Sequence, residues 1–363
     1  MSDMNRRDFG RSGLLGVAGL AFGGPERRAP HVGHETAALH GGRETPALHE
    51  GREEPARLAQ AGDPRGYRYI HLDVFTDRRM QGNQLFVFVQ PAGLDTDTMQ
   101  TITRESNLSE CTFVFPPELA GTDHRVRIFT RTAETPFAGH PTIGTAFALA
   151  HTGALKPGLS HTTFGLGVGP TNIDLDWKDG KLWFAWMTQQ KPAFGKMVTD
   201  AAALAAAMGL DAAAIDPRAP AQEVYSGSNF FIVPLAARKA VDAAVLDRAK
   251  IDAVFAAAGM QRRGIYVFSV ERTGDDVTAY SRMLPSGGIE DPATGSAVGP
   301  AGCFAAKYGF VAQDRTGSMV FLQGVLARRP SRLHVNVTMT GAEVTAVKVG
   351  GASVVVGEGS MAV

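Results

Sequence analysis

Two cysteines in 363 residues, Cys111 and Cys303, are too few to carry a disulfide framework. Neither belongs to a C-x-x-C pair or a Cys/His cluster, which excludes a structural zinc site of the usual spacing. No spacing favours a disulfide between them, and two small, half-buried residues is the simpler expectation. Charge of either sign is not in excess: Lys+Arg and Asp+Glu both number 36. No overall field therefore points to nucleic acid, and any binding site must come from local arrangement. Beyond the first residues, no apolar run approaches the roughly 18 needed to span a bilayer. What remains, 44% hydrophobic and 20% charged residues, is ordinary for a globular protein, and the length suffices for two domains with real cores.

The first 66 residues read differently from the rest. Arg6-Arg7 and Phe9 precede a weak apolar stretch, Leu14 to Phe22, too short to span a membrane. Residues 1–24 thus look like a twin-arginine export signal. A small-x-small exit, Ala59-Gln60-Ala61, lies far downstream. The expectation is an exported, periplasmic protein; the alternative is a cytoplasmic one with a basic tail. Fractionating cells that carry Arg6→Lys with Arg7→Lys decides between them: an unchanged cytoplasmic location in both chains removes the signal. Residues 25–66 hold three imperfect nonapeptides, HETAALHGG, RETPALHEG and REEPARLAQ. Their composition buries too little apolar surface to offset ordering, so a low-complexity linker is expected. His31, His34, His40 and His49 fall within it and read as solvated.

From Tyr69 the chain becomes β-rich. YIHLDVF, QLFVFV, CTFVFP, HRVRIFT, TNIDLDW and KLWFAW predict strands in one half. NFFIVPL, GIYVFSV, DVTAYSRM, SMVFLQG, LHVNVTM and SVVVGEG predict strands in the other. Helices are expected after GHPTIG, over roughly 200–214 and 239–258, and after DPATGS. This is an α+β pattern rather than strict strand–helix alternation.

Two stretches echo each other. His140-Pro141-Thr142-Ile143-Gly144-Thr145-Ala146 aligns with Asp291-Pro292-Ala293-Thr294-Gly295-Ser296-Ala297 at a constant offset, since 291 − 140 and 296 − 145 are both 151. Each leads into a small-residue helix ending at a glycine, Gly153 or Gly309. Two halves of one topology are implied, each presenting a helix N-terminus. Such a terminus offers N–H groups and the positive end of the macrodipole to a carboxylate, and glycine lets the ligand approach. A Thr or Ser can cap the turn, and Pro300 points to a helix start near Ser296. Two termini across a cleft would hold one small carboxylate-bearing metabolite.

The chain resembles the PhzF-like isomerases of phenazine biosynthesis, within the diaminopimelate-epimerase fold. The resemblance runs from Tyr69 onward and rests on DVFTDRRMQGNQL, RESNLSECTFVF, RIFTRTAETPFAGHPTIGTA, IEDPATGSAVGP and RRPSRLHV. It implies two pseudo-symmetric domains, here 67–190 and 191–363, each a β-roll around a central helix, with the site in the cleft and a homodimer as the assembly. By the same resemblance Glu110 is the catalytic acid/base, and His140, Asp291 and Ser296 support it, with Gly139 beside the histidine. Gly295 and Asn83 join them as substrate-binding candidates. The implied proton shift uses no metal, flavin or nicotinamide. In LSECTFVF, Glu110 alternates with Leu108 and Thr112 and so shares their face.

Three positions depart from the family pattern: Gln84 and Arg131-Thr132 stand where proline is usual, and Leu284 where an aromatic is common. They leave the fold expectation intact and put substrate identity in question. A two-thiol racemase of the same fold is disfavoured, because Cys111 + 151 is Arg262 and Cys303 − 151 is Thr152. A non-catalytic carboxylate-binding protein is the other alternative, though a glutamate adds nothing to holding an anion.

Overall fold

A computed structural model describes residues 66–285 and 288–363. The export-signal reading of 1–24 and the linker reading of 25–65 lie outside the described residues. Gly66 already belongs to the first strand.

The first half runs β1 (Gly66–Val74), β2 (Asn83–Val89), α1 (Thr96–Ser106), β3 (Glu110–Phe115), β4 (His124–Thr130), the two-residue β5 (Glu134–Thr135), α2 (Gly139–His151), β6 (His161–Leu166), β7 (Gly169–Lys178) and β8 (Lys181–Thr188). Then come β9 (Ala193–Val198), α3 (Ala201–Ala207), β10 (Ala221–Tyr225), β11 (Asn229–Pro234), α4 (Arg238–Ala243), α5 (Arg248–Ala257), β12 (Gly264–Ser269) and β13 (Ala279–Leu284). The chain ends with α6 (Gly295–Lys307), β14 (Met319–Gln323), β15 (Ser331–Thr340), β16 (Glu343–Gly351) and β17 (Ser353–Ala362).

The pairing pattern repeats. β1/β2 are antiparallel, β2/β3 parallel and β3/β4 antiparallel; β10/β11, β11/β12 and β12/β13 follow the same order. The β4/β6 parallel pair and the antiparallel β6/β7/β8 meander are answered by β13/β14 and β14/β15/β16. The halves also exchange strands. β9, which follows the first half in sequence, pairs with β10; β17, which follows the second, pairs with β1. The 190/191 boundary falls between β8 and β9, and the last strand returns to the first half. β8 and β16 pair antiparallel and join the two rolls into one continuous sheet.

Each roll closes around one helix. α2 buries eleven of its thirteen residues and α6 eleven of its thirteen. A helix surrounded by strands must be narrow and apolar on every side, and Gly144, Ala146, Gly299, Ala301 and Gly302 meet that need. A Cβ on Gly302 would already lie 2.6 Å from Val335 of β15. The strands contribute the complementary alternation: Leu333, Val335 and Val337 of β15 are buried while Arg332, His334 and Asn336 face outward.

The structure corrects the register of the repeat. Gly139 and Gly295 each open a thirteen-residue helix, and Gly153 and Gly309 follow the helix ends, so 295 − 139 and 309 − 153 both give 156, not 151. His140 therefore answers Ser296, and Asp291 lies upstream of its helix. Pro300 is the sixth helical residue, beyond the first turn. The helix expected over 239–258 divides into α4 and α5. Asp247 caps α5 by accepting from Lys250 N at 3.1 Å, while the N–H groups of Val245 and Asp247 bond the carbonyls of Met208 and Ala207. The helix expected over 200–214 stops at Ala207, where Gly209 turns the chain at φ +68°. No helix among the described residues is long and apolar enough to cross a membrane.

Candidate active site

α1 ends at Asn107 in the left-handed region, φ 54°, and the chain turns through Leu108 and Ser109 into β3. Glu110 is thus the first residue of β3, paired with Thr130. Two residues on, Thr112 accepts a hydrogen bond from Thr145 of α2 at 3.0 Å, so this face of β3 looks at the central helix. Glu110 shares that face and meets the helix one turn nearer its start. Its Oε2 lies 3.7 Å from Nε2 of His140, and its side chain keeps 20% of its surface exposed.

His140 is the second residue of α2 and is buried. Its Nδ1 is 3.1 Å from the Asn83 side-chain nitrogen. A ring hydrogen bond to the Gln84 backbone also holds the imidazole. Nε2 has no hydrogen-bond partner. Burial pushes the His140 pKa down to about 3, which keeps the ring neutral near pH 7.

Asn83, the first residue of β2, is the hub. Its Nδ2 donates to Asp291 Oδ1 at 2.6 Å and to the Ala293 carbonyl at 3.0 Å, while Oδ1 accepts from the Ser109 hydroxyl at 3.3 Å. One amide therefore ties both halves together at the site. Asp291 also accepts from the Thr294 hydroxyl at 2.6 Å. Gln323 of β14 holds this turn from behind: its Nε2 donates to Asp291 O and Thr294 Oγ1, and its Oε1 accepts from Thr294 N. Burial, together with the neighbouring carboxylate Glu290, raises the Asp291 pKa. Burial and the charge of Asp291 raise that of Glu110 to about 7. Glu110 accordingly exchanges its proton near neutral pH.

The helix termini meet beside this cluster. A Cβ on Gly139 would sit 2.5 Å from Gly295 Cα and from Ser296 N, so the two helix starts touch through bare backbone. Neither carries a side-chain cap. Ser296, read from sequence as a possible cap, lies one residue inside its helix instead, as His140 does in α2. Ser296 is half-buried at this junction and makes no side-chain hydrogen bond to Glu110, His140 or Asp291. The structure thus brings Glu110, His140, Asp291 and Asn83 into one cluster and places Gly139, Gly295 and Ser296 at its border.

A cleft of about 160 Å³ opens here, lined by Asn83, Ser109, Arg131, Glu290, Asp291 and Arg329 among others. Wider grooves of about 630 and 650 Å³ lie over Trp183 and His334 and over Trp177 and His151, and hold none of the cluster. Residues with no role assigned from sequence support the cleft. Arg329, inside RRPSRLHV, pairs with buried Asp73 and donates to the carbonyls of Gln81 and Gly82, fixing the turn before Asn83. Ser109 lies beside Glu110 in an already conspicuous motif; Gln323 carries no local signal at all.

Both cysteines are free and fully buried. Burial pushes the Cys111 thiol up to about 11 and the Cys303 thiol higher still. Cys111 lies on the face of β3 opposite Glu110, packed with Met99 and Phe113, and Cys303 lies inside α6. They form neither a disulfide nor an acid/base pair across the cleft.

The family model of phenazine biosynthesis-like proteins (PhzC–PhzF) matches residues 72–359. A trans-2,3-dihydro-3-hydroxyanthranilate isomerase of Pseudomonas aeruginosa is 35% identical over 302 residues, 81% of this chain and 98% of the relative. The crystal structure of a PhzF-family phenazine biosynthesis protein from Bacillus anthracis superposes with a TM-score of 0.72 at 26% identity, covering 82% of this chain and 99% of the other. A hydroxyproline epimerase from Agrobacterium vitis, 12% identical, shares the fold with a TM-score of 0.57 over 82% of this chain and 93% of its own. With two helix-centred rolls of epimerase-like fold and a family match across both, the chain belongs to the phenazine biosynthesis-like protein family and is an isomerase.

Proposed function

We propose that this isomerase moves a proton between two carbons of a small carboxylate-bearing substrate, with Glu110 as both base and acid. The observation that carries this reading is the Glu110 carboxyl, raised to about 7, 3.7 Å from Nε2 of a neutral histidine and next in the chain to Ser109 of the cleft wall. A group poised near the working pH passes a proton in either direction with little loss of driving force. Glu110 takes a proton from a carbon next to an unsaturated system, and the electron pair left behind delocalises over that system. The same carboxyl then returns a proton to another carbon of the delocalised anion. No electrons are gained or lost, so the step calls for no redox partner and, in this reading, no metal.

The other residues divide the remaining work. The N–H groups at the starts of α2 and α6 hold the substrate carboxylate. His140 hydrogen-bonds a substrate heteroatom through its unpartnered Nε2, and Asp291, raised by burial, is the second hydrogen-bonding carboxyl. Asn83 positions both. Export and a homodimeric assembly belong to the same proposal and rest on the Arg6-Arg7 motif and the family.

The substrate of the Pseudomonas relative, trans-2,3-dihydro-3-hydroxyanthranilate, is the first compound to try. Incubated with the protein in deuterated buffer, it should be isomerised and carry deuterium on a ring carbon by mass spectrometry and NMR. Deuterium with scrambled stereochemistry would indicate an epimerase instead. Binding without deuterium uptake on this compound or on related cyclic dienoic acids would reduce the protein to a carboxylate binder.

A further inference from the structure

We propose that Arg131 selects substrates bearing a second anionic group, placed at the rim of the cleft; this rests on the isomerase reading of the same cleft. The cleft wall is acidic, with Glu110, Glu290 and Asp291 in or beside it. Its cations are differently committed. Arg329 is paired with Asp73 and bonded to two carbonyls. Glu290 is held in two-pronged fashion by buried Arg282, at 2.8 and 3.0 Å, so it makes no demand on a cation from the cleft side. Arg131, in the turn after β4, is exposed and makes one long hydrogen bond, 3.3 Å to Asn107 Oδ1. Among the described lining residues it is the cation without a carboxylate partner.

Its surroundings suit recognition. Leu108, Ile289, Pro292 and Ala327 make the rest of the rim largely apolar, and Ile289 is 77% exposed. A guanidinium beside an apolar wall meets a carboxylate through paired, charge-assisted hydrogen bonds, and the wall shields them from water. The charge of Arg131 also reaches Glu110 and favours its ionised form. The substrate class this cation implies is a compact, apolar-bodied acid with two anionic groups.

The test is equilibrium binding to the full chain by calorimetry, with benzoate against phthalate, isophthalate and terephthalate, three spacings of a second carboxylate. At least one dicarboxylate should bind wild type about tenfold more tightly than benzoate. Arg131→Gln should bring it down to the benzoate level, and Arg131→Lys should keep part of the gain. As a readout independent of any variant, the wild-type preference should shrink as ionic strength rises from about 0.01 to about 0.15 M, where the screening length falls from about 30 to 8 Å. No dicarboxylate exceeding benzoate, or an advantage that survives Arg131→Gln, overturns the proposal. That failure would leave deuterium exchange through Glu110 standing. Absence of exchange with the preference intact would remove the isomerase reading and keep the anion site.

Discussion

A Glu110→Gln chain should fold, bind its carboxylate ligand and exchange no carbon-bound hydrogen. Gln keeps the shape of the side chain that faces His140 and removes only its capacity to take a proton. Loss of one general base costs about a hundred- to ten-thousand-fold in rate, whereas the helix N-termini proposed to hold the carboxylate are untouched. The variant has a second signature, in stability. The folded Glu110 pKa is raised above its ordinary 4.5 to about 7. Between those values the folded protein keeps a proton that the unfolded chain releases, so wild-type stability falls as pH rises through the window, and the loss is complete above about 7. Gln has no such proton. The variant should exceed wild type by about 1–3 kcal/mol at pH 8, with the advantage gone below pH 4.5, as read from denaturant melts. Near-normal deuterium exchange in the variant would show that another group is the base.

Gly139→Ala should damage the protein out of proportion to the single methyl group it adds. The added carbon would press on backbone, Gly295 Cα and Ser296 N at 2.5 Å, and backbone cannot rotate away as a side chain can. Gly295 has no room to yield, since the Phe75 ring lies 2.8 Å from where its own Cβ would be. The two helix starts must therefore separate, and with them the N–H groups proposed to hold the substrate. Overpacking of this kind costs about 1–3 kcal/mol or more, and a shift of about 1 Å in a substrate-positioning element costs about a hundredfold in rate. Gly165→Ala is the control: its nearest neighbours lie at an ordinary 3.5–3.6 Å, so melting point and turnover should both stay near wild type. Equal tolerance at the two positions would mean that the helix junction is soft.

His140 gives the acid side of the pH profile. Its folded pKa of about 3 lies below the ordinary 6.5, so stability is lost as pH falls from 6.5 towards 3, opposite in sign to the Glu110 effect. Between pH 4.5 and 6.5 the His140 and Glu110 effects oppose, so the Glu110→Gln chain should lose stability on acidification more steeply than wild type there, as read from denaturant melts.

The twelve strands expected from alternating or β-branched runs all form: β15 follows a period of two, while β3, β11 and β12 are buried on both faces and form as short β-branched and aromatic runs. β5, β6, β9, β10 and β16 escape that reading. β9, AFGKMV, is largely exposed, and β16 carries mixed residues whose partners, β15 and β8, are set by the fold rather than by its own pattern. α1 escapes it for the same reason: it is polar, with four buried residues, and its helical state depends on packing against β3 and β4. The repeat is visible in the sequence, but matching Asp291 to His140 sets its register wrongly. Only the helix starts, fixed by contact between Gly139 and Gly295, reveal the offset of 156. Glu110 is legible through its strand face and motif, while Gln323 and Arg329 act through bonds to segments about 30 and 250 residues away.

By itself the sequence determined what is local: strand and helix periods, small residues where two helices must be narrow, and glycines at both helix starts, since side-chain size and hydrophobic spacing act over a few residues. The tertiary structure alone decided which of those parts meet. Asn83 bonds Asp291 across 208 positions, β9 and β17 cross to the opposite roll, and Glu110 takes its raised pKa from burial and from a carboxylate of the other half. Coulombic and hydrogen-bonding energies depend on distance and dielectric in space, and neither quantity exists until the chain has closed on itself.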